Sequence, residues 1–89
     1  MAHFVLTDTE DSGTTVGVFD SFEAAVRHAE SIAPSGGREG AYTANVIERW
    51  DDAVQDQLWF RDIKWVYDGI NARGLYSRGY YVAESGWHK

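Results

Sequence analysis

The sequence predicts a small α+β domain in the order β-β-α-β-α-β: a four-stranded antiparallel or mixed sheet with two helices on one face. Three observations predict it. Two short segments alternate polar and apolar around a polar turn, as a hairpin does. Residues 22–32 repeat apolar side chains at helical spacing. Residues 59–70 do so a second time.

In "HFVLTD" (3–8), Phe4 and Leu6 share one side of a strand. The polar turn "TEDSGT" follows, with Gly13 free to take a positive φ. "TVGVF" (15–19) is the return strand. The first helix opens at Asp20 or Ser21, and Asp20 with Glu23 has capping-box spacing. Phe22, Ala25, Val26, Ala29 and Ile32 form its apolar face, and Pro34 with "SGG" ends it. The loop 34–41, "PSGGREGA", is expected to be mobile and lacks the Gly-Lys-Ser/Thr of a phosphate loop. "YTANVIERW" (42–50) alternates as a strand, with Tyr42, Ala44 and Val46 on one side and Thr43, Asn45 and Ile47 on the other.

The stretch "LWFRDIKWVYDGI" (58–70) admits two readings. As one continuous strand, both of its faces mix charges with aromatic side chains. As a helix, Trp59, Phe60, Ile63, Val66, Tyr67 and Ile70 fall within an arc of about 120°. Asp51 or Asp52 would cap that helix, and Arg73, Gly74 and Leu75 would close it. The pattern favours the helix, while its aromatic content and Gly69 favour the strand. "GYYVAES" (79–85) is the last strand. Residues 86–89 form a tail whose Trp87 folds back on the domain.

The chain has 89 residues and reads as a single domain, 1–89. It contains no cysteine, so no disulfide or thiolate-bound metal supports it. Thirteen aromatic side chains supply the core instead. No apolar run approaches the roughly 18 residues needed to cross a bilayer. The first residues do not resemble a signal peptide, and the expected location is cytoplasmic. Net charge is −6. Of 14 acidic residues only Glu84 lies beyond residue 68, against three of the eight basic ones. Such a chain is repelled by phosphate backbones, so direct nucleic-acid binding is disfavoured. "RGLYSRGYY" (73–81) interleaves arginine with tyrosine, but strand packing explains it more simply.

Catalytic signals are weak. His3, His28 and His88 are far apart, and no serine sits in a nucleophile elbow. No metal or cofactor is expected. On the helical reading, Val54, Leu58, Arg61, Asp62, Trp65 and Ala72 form an outer stripe, with the Arg61 guanidinium on the Trp65 indole. Exposed Trp and Arg anchor many protein interfaces, so Val54, Leu58, Arg61, Asp62 and Trp65 are the candidate contact residues. Glu48, Asp51, Asp52 and Asp56 form an acidic cluster that steers a basic partner or solvates the start of the helix. The expected function is non-catalytic protein binding, with homodimerisation through the same surface and a small enzyme or ligand-binding domain as alternatives.

In size, acidity and lack of cysteine the chain resembles small inhibitors encoded by viruses and mobile elements, the anti-CRISPR and anti-restriction proteins. The resemblance is one of format and covers no motif. It implies an inhibitor of a nucleic-acid-handling system, acting in the host cytoplasm.

Overall fold

The computed structural model describes residues 1–38, 40–70, 73–74, 78–83 and 86–89. The strands are β1 (Ala2–Asp8), β2 (Thr14–Phe19), β3 (Ala44–Asp51), β4 (Val54–Phe60), β5 (Ile63–Tyr67) and β6 (Gly79–Ala83), and α1 (Phe22–Ile32) lies between β2 and β3. The protein is mostly β, which overturns the α+β expectation of two helices on one sheet. One antiparallel sheet has the order β2-β1-β3-β4, and β5 pairs with β6 in a second.

The first half follows the sequence closely. Ser12 and Gly13 take positive φ angles of 54° and 74° in the β1–β2 turn, which lets a strand reverse within a few residues. Ser21 is the N-cap of α1, and its hydroxyl accepts from the Ala24 amide at 3.2 Å. Asp20 does not take that role. The α1 face formed by Phe22, Ala25, Val26, Ala29 and Ile32 packs on Phe4, Leu6, Ala44, Ile47 and Trp59 of the sheet. Residues directly opposite in a ladder share a face. The row Gly17–Leu6–Ile47–Trp59 therefore looks toward the helix, and so does Phe19–Phe4–Arg49–Gln57.

One side of β3 is corrected by a bulge. Simple alternation sets Ala44 with Val46 and opposite Ile47. The register shifts between Thr7 and Asp8, which pair with Val46 and Ala44, so Asn45 is the extra residue. Ala44 and Ile47 both become fully buried as a result.

The expected second helix does not form. Asp51–Val54 closes a hairpin with Asp52 at φ 54°, a left-handed conformation that aspartate tolerates. Beyond it, β4 and β5 are separated by Arg61 and Asp62, where the chain leaves one sheet for the other. That break removes the mixed faces that counted against a strand. Trp59 turns to the helix, Leu58 and Phe60 turn away, and the two charges sit at the corner. Asp51 and Asp52 are turn residues rather than helix caps. Gly74 takes φ 76°, and Ala72 and Leu75 lie outside the described residues.

The β5–β6 hairpin is joined to the loop after α1. Gly36 donates to the Tyr81 carbonyl at 2.7 Å, and Tyr81 donates to that of Gly37 at 3.0 Å. Arg38 Nη1 reaches Asp68 at 2.5 Å and the Gly79 carbonyl at 3.2 Å. The tail returns to β4: Phe60 and His88 exchange two backbone hydrogen bonds of 2.8 and 2.9 Å. Trp87 packs against the core, as its sequence position suggested. No helix among the described residues is long and apolar enough to cross a membrane.

Candidate functional site

Two places stand out: the corner around Arg61 and the face of the four-stranded sheet opposite α1. Arg61 is only 3% exposed. Its Nη2 donates to the carbonyls of Ala33 at 3.1 Å, Ala44 at 3.4 Å and Ala29 at 3.5 Å. Helix α1 has no basic side chain in its last turn, and its terminal carbonyls need donors. Arg61 supplies them from the β4–β5 corner. Burial pushes its pKa below the ordinary value, opposed by the negative charge of Glu30 and by Tyr81. The guanidinium lies under the Trp87 ring, 5.2 Å from the centroid. The expected stacking of Arg61 on Trp65 is thus replaced by stacking on Trp87, and Arg61 is no surface contact residue.

A cleft of about 350 Å³ opens at this corner, lined by Glu30, Pro34, Ser35, Arg61, Ala83, Gly86 and Trp87. Two buried donors beside it, Arg61 Nε and Trp87 Nε1, have no hydrogen-bond partner among the described residues. Buried donors left unpaired cost about 1–3 kcal/mol each, so such a pair calls for an explanation.

The open sheet face lies opposite α1. Its central row is Val18–Val5–Glu48–Leu58, flanked by Thr7–Val46–Phe60 and by His3–Trp50–Gln55. Val18 is 59% exposed and Leu58 41%. Glu48 accepts from the Thr7 hydroxyl at 3.2 Å within this face.

The remaining predicted site residues separate. Val54 lies at the start of β4 and is exposed. Leu58 belongs to the open face, whereas Trp65 belongs to the other sheet. Its indole lies over Gly79 and packs with Tyr42 and Tyr81, at centroid distances of 5.6 and 6.3 Å, leaving it 39% exposed. Asp62 is at the corner, 3.3 Å from His88 Nε2. The acidic cluster is partly compensated. Asp56 pairs with Arg49, and Asp52 lies 3.4 Å from the Met1 ammonium. Asp51 is exposed at the end of β3.

The sequence reading missed Val5, Val18, Trp50 and Trp87 as site residues. A signal for the first two was present: once Phe4 and Leu6 face inward, Val5 must face outward, and Val18 lies across from it. Comparison with family models, curated proteins and solved structures finds no match.

Proposed function

We propose that the chain is a non-catalytic protein-binding module whose docking surface is the open face of the four-stranded sheet. The observation that carries this reading is the exposure of Val18 and Leu58 at the two ends of the row Val18–Val5–Glu48–Leu58, on the sheet face opposite α1. Trp50 adds an aromatic anchor, Glu48 sets a carboxylate within the face, and Asp52 lies at the exposed turn beyond it. With a net charge of −6, these acids favour a partner with a basic surface. A nucleic-acid-handling protein has such a surface, and sequestering it would inhibit it without chemistry.

Affinity capture with wild type and the double variant Val18→Ser, Leu58→Ser tests this. The expected result is a protein retained by wild type, released as salt is raised, and lost from the double variant while folding is preserved. Retention of the same proteins by both would refute the surface. Self-association is a second reading, favoured by β2. That strand pairs on one side only and carries no charge from Thr14 to Phe19. Light scattering across a concentration series separates a dimer from a monomer.

A further inference from the structure

Among the described residues, the corner cleft places two opposite charges on its walls without pairing them. Arg61 and Glu30 both line it, yet no ion pair joins them. Arg61 Nη2 is occupied by three carbonyls, while its Nε–H and the Trp87 Nε1–H beside it have no acceptor. Ser35 adds a hydroxyl whose oxygen already accepts from the Ala83 amide at 3.2 Å, so its proton is the part left to donate. Two covered donors and a positive charge therefore lie behind one wall, whose surface offers the Ser35 hydroxyl, and Glu30 offers an acceptor and a negative charge. The geometry points to a binding site for a small zwitterion of the α-amino-acid type, with its carboxylate toward Arg61 and Trp87 and its ammonium toward Glu30.

Three considerations support this assignment over other small ligands. The volume, about 350 Å³, sits at the small end of the range for ligand pockets. A dianion would be repelled by Glu30 and by the net charge of −6, whereas a zwitterion brings no net charge. A carboxylate beside Arg61 also offsets the cost of a buried cation whose other partners are neutral carbonyls. Neither nitrogen has surface open to the cleft, and the Trp87 ring covers the guanidinium, so a carboxylate reaches them only where that ring shifts.

The test is a titration of the ¹⁵N-labelled chain with leucine, followed through the Trp87 indole and Arg61 Nε–H resonances. The expected result is saturable movement of both, half-complete at millimolar leucine or below. Acetate and methylammonium, each carrying one of the two charges, should bind at least about tenfold more weakly. Trp87→Phe keeps a ring over the guanidinium but removes its donor, and should lower leucine affinity at least about fivefold. Glu30→Gln should abolish the preference for leucine over acetate. No saturable movement with leucine, acetate binding as tightly as leucine, or unchanged affinity in Trp87→Phe would each overturn the assignment. None of these outcomes bears on the open sheet face, which is a separate surface.

Discussion

Replacing Arg61 separates a surface side chain from one that closes the end of a helix. Arg61→Met keeps an apolar stem of similar length under the Trp87 ring and removes the donors to Ala33, Ala44 and Ala29. Hydrogen bonds to a charged group contribute about 1.5–3 kcal/mol, and the bond to Ala33 at 3.1 Å is the strongest of the three. Part of that loss is offset because a buried cation no longer has to be desolvated. A net cost of about 1–2 kcal/mol follows. Arg61→Ala also removes two buried methylenes, worth about 1.6 kcal/mol at roughly 0.8 each, and leaves a cavity. Its total is about 3–4 kcal/mol. For a chain this size, with a stability of about 4–9 kcal/mol, that is a large fraction. Urea denaturation followed by circular dichroism measures both variants. A cost below about 1 kcal/mol for Arg61→Ala would mean that the guanidinium does not hold the corner. Equal costs for the two variants would mean that the stem does not pack.

Two further outcomes follow from the aromatic side chains. Trp59 lies 4.7 Å from Phe22 and 6.1 Å from Phe4 beneath the helix, so Trp59→Ala should cost about 3–5 kcal/mol of stability. Trp65, half open above Gly79, should cost about 1–2 kcal/mol when replaced by alanine. Denaturation curves that rank the two equally would contradict these positions. Alkaline pH should also weaken the fold. Burial raises the Tyr81 pKa above its ordinary 10.0, and the bond to Glu10 raises that of Tyr42. The unfolded chain ionises these phenols first, so their contribution is intact below about pH 10 and is lost as pH climbs through the folded values. Melting temperature should fall above pH 10, and less steeply in Tyr81→Phe. An identical slope in that variant would exclude Tyr81 as a source.

How far the sequence could be read depended on local punctuation. Helix α1 was legible because its apolar residues repeat at helical spacing between Ser21 and Pro34. The β1–β2 hairpin was legible from alternation around the Ser12–Gly13 turn. Residues 52–73 were not. Their apolar side chains match helical spacing only because two strands of different sheets meet at Arg61 and Asp62. No glycine or proline marks that corner, so the sequence pattern runs through it as a single element. The Asp51–Asp52–Ala53 turn carries residues that also cap helices, and nothing local separates the two uses. The bulge at Asn45 was hidden for a related reason: it follows from pairing with Thr7 and Asp8, which are distant in sequence. At the candidate site, Leu58 lies on the open face, apart from the Trp65 with which the sequence grouped it, and Arg61 lies inside rather than on the surface because its acceptors lie up to 32 residues away.

One side chain joins the last turn of the helix, the first residue of β3 and the returning tail. Local opening at any of these three places removes support from the other two, so they should breathe as a unit. Amide protons of Ala33 and His88, each hydrogen-bonded within this cluster, should then exchange with deuterium at matched free energies despite being 55 positions apart.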